Sequence, residues 1–184
     1  MKVEATALHG VLLLSPTRHD DERGWFAESF SVPAFEAALR GAGLAAPGPF
    51  VQDNHSCSAA GVLRGLHYQL PPHAQGKLVR VLRGASWHVA VDLRRSSPTW
   101  AQWVGVELRG LQQLWIGPGF AHGFLALEDA TEVAYKATAL YARGAERAIV
   151  WNDPALAIRW PAAARLLSAR DAQAPSLSHS TLFP

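Results

Sequence analysis

Residues Lys77–Leu93, "KLVRVLRGASWHVAVDL", decide the fold class. Apolar and β-branched residues fill both halves of this stretch, and a single glycine, Gly84, separates them. β-Branched residues favour strands, and glycine favours the turns between strands. The stretch therefore predicts two β-strands on either side of Gly84.

Similar short segments follow at fairly regular intervals towards the C-terminus. They are "TWAQWVGVEL" (99–108), "QLWIGPGFAHGFLAL" (113–127), "TEVAYKATALY" (131–141) and "RAIVWNDPALAIRW" (147–160). Only "SVPAFEAALRGAG" (31–43) and "PAAARLLSARDAQAP" (161–175) have helical signals. Many short strands with Gly/Pro turns predict an all-β antiparallel sandwich or barrel. No linker or repeat interrupts the pattern, so we expect one domain over residues 1–184.

Composition excludes several functional classes. The 184 residues are 49% hydrophobic and 17% charged, which is typical of a folded globular chain. The net charge is only +2 and the longest basic run is Arg94-Arg95, so we expect no nucleic-acid partner. The apolar run "GVLLL" (10–14) is too short to span a membrane, and the single cysteine, Cys57, excludes an internal disulfide. We expect a cytoplasmic protein with no membrane partner.

An arginine, a histidine and a lysine stand out among the apolar residues of a strand-rich stretch, "GVLRGLHYQLPPHAQGKLVRVLRG" (61–84). They are Arg64, His67 and Lys77, and the chain has only two other lysines. Buried charge is costly unless it is paired or used. In a β-barrel, alternate side chains of each strand face the interior, so distant strands can supply one cavity. Periodicity alone does not show which face is inward for the residues that such a cavity would use: His67, Lys77, His88, His122 and Tyr135.

Longer motifs cover most of the chain, from about residue 20 to residue 175. They are "DERGWFAESF" (21–30), "FVQDNHSCSAAGVLRGLHYQLPPHAQGKLVRV" (50–81), "VAVDLRRSSPTW" (89–100), "QLWIGPGFAHGF" (113–124), "AYKATALY" (134–141), "IVWNDPALAIRWP" (149–161) and "LSARDAQAP" (167–175). In this order they resemble the dTDP-4-dehydrorhamnose 3,5-epimerase family. The resemblance implies a cupin-type jelly-roll β-barrel with a few short peripheral helices and a homodimer with exchanged N-terminal strands. It also implies a dTDP-4-keto-6-deoxyhexose substrate, with no metal and no cofactor.

The chemistry of that family inverts carbons beside a ketone. It needs a base at the C–H bond, a positive or hydrogen-bonding group at the developing oxyanion, and an acid on the opposite ring face. The resemblance implies that His67 is the base, that Asp171 orients it, that Tyr135 is the acid, and that Lys77 lies near the oxyanion.

The resemblance also implies a set of substrate-binding residues. His122 would lie near the oxyanion, Arg64 would hold the substrate in the pocket, and Tyr141 would stack on the thymine. Arginine suits the pyrophosphate because its planar fork pairs with phosphate oxygens. The full set is Arg23, Glu28, Gln52, Asp53, Asn54, Arg64, His122, Tyr141, Glu146 and Arg170.

Three features depart from the family pattern. His88, in "SWHVAVD", stands where the family usually has an aspartate, which would hold Lys77 charged and in place. The segment "ELRGLQQLW" (107–115) is two residues shorter, and "WIGPGF" (115–120) replaces the usual "WIPxGF". Because these differences alter the site, the alternative that the protein is a mono-epimerase, which inverts C3 or C5 alone, stays open.

Two other classes also stay open. In a metal cupin, His67, His88 and His122 would form a three-histidine cluster. However, such proteins usually carry His-x-His, and this chain has His67-Tyr68-Gln69. A catalytically silent nucleotide-sugar binder would keep the binding residues without catalysing proton exchange.

Overall fold

The computed structural model describes residues 1–183, and strands dominate it. The strands are β1 (Lys2–Ala5), β2 (Val11–Ser15), β3 (His19–Asp21), β4 (Gly24–Phe26), β5 (Gln52–Ser58), β6 (Leu63–Gln69), β7 (Lys77–Arg83), β8 (Ala85–Asp92), β9 (Trp103–Arg109), β10 (Gln113–Ile116), β11 (Phe120–Ala126), β12 (Thr131–Ala137) and β13 (Glu146–Ala148). The helices are α1 (Val32–Gly41), α2 (Ala169–Ala172) and a 3₁₀ turn (Leu177–His179).

Two antiparallel sheets form the body of the fold. One has the strand order β1-β2-β10-β7-β12-β5, and the other has the order β13-β6-β11-β8-β9. The strands β3 and β4 form a separate two-stranded hairpin. The two packed sheets and the short helices confirm the predicted all-β class and the cupin-type jelly roll with peripheral helices.

The strands on either side of Gly84 belong to different sheets. β7 pairs with β10 and β12, whereas β8 pairs with β9 and β11. Gly84 has a φ of 76°, and a Cβ there would lie 2.6 Å from the Thr131 hydroxyl oxygen. Only glycine fits this turn without strain. The predicted strand pair is therefore a corner that leads the chain from one sheet into the other.

Three apolar clusters hold the sheets and their coverings together. The cluster between the sheets includes Val79, Val81, Leu114 and Phe124. The outer face of the six-stranded sheet is covered by α1, whose Phe35 and Leu39 pack on Leu12, Leu78 and Trp115. The outer face of the five-stranded sheet is covered by the C-terminal segments, whose buried residues are Ile149, Leu156, Leu177 and Phe183. The C-terminal part of the chain thus supports the five-stranded sheet, which carries His67 and His122 of the site described below.

Some local predictions were wrong. The predicted C-terminal helix over 161–175 is only the four-residue α2, because Leu166 instead bridges to Val62 beside β6. The predicted strand over 147–160 forms only β13, and turns follow it. The helix α1 lies within the predicted helical stretch 31–43. It begins after Ser31 and has a proline in its first turn, but the Ser31 side chain makes no capping hydrogen bond.

The prediction of one domain over residues 1–184 stays a prediction, and its last residue, Pro184, lies outside the described residues. Within residues 1–183, no helix combines the length and the apolar character needed to span a membrane.

Candidate active site

A cavity of about 820 Å³ opens between the two sheets. The predicted site residues that line it are Asn54, Arg64, His67, Lys77, His122, Tyr135, Arg170 and Asp171. Apolar side chains, including Phe124, Leu63 and Leu167, complete its walls. The cavity therefore brings together the four predicted catalytic residues and four of the predicted binding residues.

The two sheets contribute opposite walls of the cavity. His67 on β6 is directly paired with His122 on β11 in the five-stranded sheet. On the six-stranded sheet, Tyr135 on β12 and Lys77 on β7 lie two residues apart in register, because Lys77 is paired with Ala137. A flat ring held between the sheets would face the imidazoles on one side and the ammonium and phenol on the other.

A β-bulge in β6 explains how Arg64 and His67 reach the same cavity. His122 pairs with His67 and Phe124 pairs with Arg64, so β6 has one more residue than β11 in this interval. Residues three apart on a regular strand face opposite sides. A Cβ on Gly65 would lie 2.4 Å from the Gly123 Cα, so only glycine permits this approach of the strands.

His67 is held by Asp171. Its Nε2 lies 2.6 Å from Asp171 Oδ1, and the Asp171 side chain is almost fully buried. Asp171 Oδ2 also accepts a hydrogen bond from the Gly65 backbone N–H at 3.4 Å. When Nε2–H donates to the carboxylate, Nδ1 is left with a lone pair. The pair thus fixes the tautomer that a base requires.

Burial alone would raise the pKa of the Asp171 carboxyl. The hydrogen bond and the charge of His67, with the Gly65 and Ser168 contacts, outweigh burial and hold that pKa below its ordinary value. Asp171 therefore stays ionised at neutral pH.

Sequence reasoning missed Ser168. Its side chain caps α2 and accepts a hydrogen bond from the Asp171 backbone N–H at 3.0 Å. The pattern Ser-x-x-Asp in "SARD" (168–171) is a capping signal that could have indicated this role. The cap sets where Asp171 lies relative to His67.

Lys77 is the cation of the opposite wall. The residue is only 9% exposed, and its Nζ lies 5.8 Å from the centroid of the Tyr135 ring. Burial lowers the pKa of Lys77 to about 8, although the charge of Glu146 opposes the shift. Within residues 1–183 its ammonium has no hydrogen-bonding or ion-pair partner, so its donors are available to a ligand in the cavity.

Tyr135 lies beside Lys77 on the same wall. Burial raises the pKa of its phenol, the charge of Glu146 raises it further, and Arg64 opposes both. The phenol therefore carries its proton at neutral pH. No residue in the described chain accepts a hydrogen bond from it, which suits a proton donor to a bound molecule.

Arg64 and Asn54 are further polar residues of the cavity lining. Arg64 Nε donates to the Ser58 hydroxyl at 3.2 Å, and one terminal nitrogen reaches the Cys57 carbonyl at 3.4 Å. Asn54 receives a hydrogen bond from Gln52 on its Oδ1 at 2.8 Å, while its buried Nδ2 has no partner within residues 1–183. Asn54 is therefore ready to donate to a ligand, and Gln52 orients it.

The rim of the cavity carries an acidic residue held by two partners. Glu146 accepts from the Tyr141 hydroxyl at 2.6 Å and from Arg170 at 2.5 Å. Burial would raise the pKa of Glu146, but these hydrogen bonds and the charge of Arg170 leave it below the ordinary value. The Gln52 side chain accepts from the Tyr141 backbone N–H at 2.7 Å, which ties the rim to β5.

Six predicted binding residues do not line the cavity within one chain. Gln52, Tyr141 and Glu146 connect to its lining residues Asn54 and Arg170 through the hydrogen bonds given above, and the other three lie apart from it. Arg23 is paired with Asp21 on the β3–β4 hairpin and its side chain is 85% exposed. Glu28 accepts a hydrogen bond from Ser31, away from the cavity. Asp53 lies on the opposite face of β5 from Asn54 and is paired with Lys136 at 2.8 Å. Strand alternation accounts for the position of Asp53.

The three histidines of the metal alternative do not form a ligand set. Within residues 1–183, no group of three or more His, Cys, Asp or Glu side chains has the arrangement of a metal site. His88 and His122 direct ring nitrogens at each other, with Nδ1 of His88 3.1 Å from Nε2 of His122. His67 directs its Nε2 at Asp171 instead.

Comparison with known proteins gives one consistent result. A family model described as dTDP-4-dehydrorhamnose 3,5-epimerase matches residues 5–179. A curated protein of that name from Pseudomonas aeruginosa is 50% identical over 187 aligned positions, which cover 100% of both chains. Another from Shigella flexneri is 50% identical over 173 positions and covers 93% of each chain.

Solved structures agree with the sequence comparison. A dTDP-4-dehydrorhamnose 3,5-epimerase from Elizabethkingia anophelis superposes with a TM-score of 0.90 at 40% identity and covers 97% of each chain. An epimerase from Legionella pneumophila in complex with dTDP-4-keto-L-rhamnose has a TM-score of 0.89 at 45% identity, covering 97% of this chain and 93% of that one. A 3'-monoepimerase from Streptomyces bikiniensis is more distant, with a TM-score of 0.83 at 33% identity, covering 92% of this chain and 84% of that one.

Proposed function

Because the chain belongs to the dTDP-4-dehydrorhamnose 3,5-epimerase family, we propose that it inverts C3 and C5 of dTDP-4-dehydro-6-deoxy-D-glucose. The product is dTDP-4-dehydro-L-rhamnose. The observation that carries the proposal is the placement of His67 and Tyr135 on opposite walls of one cavity. Inversion requires removal of a proton from one ring face and its return to the other.

His67 acts as the base. Asp171 accepts the hydrogen bond from Nε2–H of His67, so Nδ1 is the atom that takes the proton from the carbon beside the ketone. The ionised carboxylate then stabilises the imidazolium that forms. A proton α to a ketone is only weakly acidic, so the electron pair must move onto the carbonyl oxygen as the C–H bond breaks.

Lys77 stabilises the resulting enolate. Its ammonium is buried and has no ion-pair partner within residues 1–183, so its charge is directed at a ligand rather than neutralised. A preorganised cation in a water-poor cavity stabilises developing charge strongly. His122 lies on the other wall and supplies a second polar contact.

Tyr135 completes the inversion. Its phenol donates a proton to the carbon from the face opposite His67, and the enolate electrons form the new C–H bond. Exchange with solvent then returns the proton from His67 to Tyr135. The same two groups serve C3 and C5 in turn, because both carbons flank the ketone. These steps require no metal and no cofactor.

The rim residues hold the nucleotide. Arg170 and Arg64 offer cationic contacts to the diphosphate, while Tyr141 is half exposed and offers an aromatic face to the thymine. Asn54 contributes its unpartnered amide. Gln52 and Glu146 orient these groups through the hydrogen bonds given above.

A homodimer accounts for the residues that lie outside the cavity. The β3–β4 hairpin exposes Trp25 by 56% and Phe26 by 70%, and Arg23 lies beside them on the hairpin, exposed and paired with Asp21. Exposed aromatic residues of this size mark an interaction surface. We propose that the hairpin packs on a second copy and carries Arg23 and Glu28 to the nucleotide there. Asp53 is paired with Lys136 on the outer face of β12, so we assign it no contact with the substrate.

Deuterium uptake tests the proposal. The purified protein is incubated with dTDP-4-dehydro-6-deoxy-D-glucose in D₂O, and the sugar is examined by NMR. We expect deuterium at both C3 and C5 with inversion at each. Label at C3 alone would show a mono-epimerase, and dTDP binding without label at either carbon would show a silent binder. Either result would refute the proposal.

A further inference from the structure

Ser86, His88 and His122 form a buried hydrogen-bonded row that leads to the cavity. The Ser86 hydroxyl lies 2.7 Å from His88 Nε2, and His88 Nδ1 lies 3.1 Å from His122 Nε2. Ser86 and His88 are fully buried, and His122 is nearly so. The two imidazole rings are almost parallel, with an interplanar angle of 3°. The row therefore has a fixed geometry and only one end that reaches a ligand.

The buried end of the row sets the direction of its hydrogen bonds. Within residues 1–183, the Ser86 hydroxyl has no side-chain or backbone partner other than His88 Nε2. If Nε2 carried the proton, the buried hydroxyl hydrogen would have no acceptor, which is unfavourable. Ser86 therefore donates and His88 Nε2 accepts.

The direction of the Ser86–His88 hydrogen bond also fixes the direction of the His88–His122 hydrogen bond, because both rings are neutral. Burial lowers the pKa of His88 to about 3. Burial lowers the pKa of His122 well below its ordinary value, and the nearby Lys77, His88 and His67 lower it further. A neutral imidazole carries one N–H. His88 consequently donates from Nδ1 to His122 Nε2. Because Nε2 of His122 accepts this hydrogen bond, the single N–H of His122 is on Nδ1.

The free nitrogen of His122 is in contact with the cavity. His122 lines the cavity together with Lys77 and His67, and its Nδ1 has no hydrogen-bonding partner within residues 1–183. Buried nitrogen atoms without any partner are confined to Asn54 and Trp87 in this part of the chain. The Nδ1 atom is thus accessible from the cavity.

We infer that His88 is a positioning residue that fixes His122 as a neutral Nδ1–H donor to the enolate oxygen. This role rests on the proposed epimerisation. Together with the Lys77 ammonium it gives the oxyanion one charged and one neutral donor. A carboxylate at position 88 would do the opposite, since it only accepts hydrogen bonds and would draw the proton of His122 to Nε2.

Histidine tautomers are measured directly by NMR of the protein with ¹⁵N-labelled histidine. We expect His122 and His88 to carry their proton on Nδ1 and to show an unprotonated Nε2 across neutral pH. A protonated Nε2 on either ring would overturn the inference. The readout does not depend on turnover, so failure of the unmodified protein to exchange deuterium would refute only the proposed function.

Two variants test the role in catalysis. In His88→Asp we expect the His122 proton to appear on Nε2 and kcat to fall about 10- to 100-fold with little change in KM. In Ser86→Ala the row loses its donor, and we expect signals from both His122 tautomers and a smaller loss of kcat.

Trp87→Phe is the control, because Trp87 lies between Ser86 and His88 on β8 and packs on the outer face of the sheet. We expect it to leave kcat and the His122 tautomer unchanged. Unchanged tautomers in His88→Asp, or equal losses of kcat in all three variants, would overturn the inference.

Discussion

The two walls of the cavity are built on different principles. On the five-stranded sheet, the polar side chains have partners behind them, as Asp171 supports His67 and His88 supports His122. On the six-stranded sheet, the Lys77 ammonium and the Tyr135 hydroxyl have no hydrogen-bonding partner within residues 1–183. One wall is oriented by the protein, whereas the other keeps its donors for the ligand.

The difference between the walls shows that the Lys77–Tyr135 wall lowers the stability of the fold in order to present its donors to a ligand. A buried ammonium without a counter-ion destabilises the fold, whereas a carboxylate–imidazole pair is satisfied in the folded state. Substitutions on the two walls should therefore have opposite effects on stability even when both reduce activity.

The largest loss of activity should come from the oriented wall. We expect His67→Asn to reduce kcat about 10⁴-fold, because general base catalysis is lost. The substitution should also remove deuterium uptake at both C3 and C5. Persistent exchange at either carbon in the variant would show that another group is the base.

Lys77→Met should separate activity from stability most clearly. We expect kcat to fall about 10³-fold, since the oxyanion loses its cation. Because methionine removes a buried unpaired charge, we expect the melting temperature to stay the same or to rise. A lower melting temperature would contradict the comparison of the two walls.

Lys136→Met is the matched control for this lysine. Lys136 lies one residue from Tyr135 on the other face of β12, where it is paired with Asp53. We expect near-normal kcat and a small loss of stability.

Tyr135→Phe should uncouple exchange from inversion. We expect turnover to fall about 100-fold, because the acid on the second ring face is lost. Deuterium should still enter the substrate through His67, with retention rather than inversion. Mass spectrometry and NMR of recovered substrate and product measure the ratio of deuterium exchange to inversion. If this ratio were the same as in the unmodified protein, Tyr135 would not be the acid.

The pH dependence should reflect Lys77. Its pKa of about 8 means that the ammonium is present below pH 8 and is lost above it, so kcat should fall as the pH rises through 8. Since this pKa is below the value of 10.5 for an unperturbed lysine, the unfolded chain binds more protons between these values. The free energy of unfolding should therefore rise with pH there, relative to Lys77→Met, in denaturant titrations at fixed pH.

The smallest effect should come from the support behind Asp171. Ser168→Ala removes the cap of α2 and should cost about 1 kcal/mol in the free energy of unfolding. We expect kcat to fall only a few-fold, as Asp171 becomes less well placed. Ser31→Ala is the stability control, because Ser31 precedes α1 without a capping hydrogen bond. Equal destabilisation by both would argue against the capping role.

Local patterns predicted the strands well and their arrangement poorly. β7 and β8 were visible in the residue types on either side of Gly84, but nothing local shows that they enter different sheets. The predicted helix over 161–175 did not form in full, because Leu166 bridges to Val62 instead. Long-range pairing overrides helical propensity there.

The candidate site was predicted through motifs rather than through periodicity. Alternation would place Arg64 and His67 on opposite faces of β6, and only the bulge at Gly65 explains their shared cavity. The contact between Asp171 and His67 spans 104 residues of sequence and has no local signal. The partner of His88 was equally hidden, since the sequence shows the substitution but not that the ring faces His122.

The extra residue in β6 makes the chain length between Arg64 and His67 as important as the identity of the residues. Removing one residue there would restore regular pairing with β11 and rotate every earlier side chain of the strand by half a turn. Arg64 would then point towards the apolar outer layer and would leave the cavity that it now shares with His67. We therefore expect this segment to accept conservative apolar replacements far more readily than any deletion or insertion.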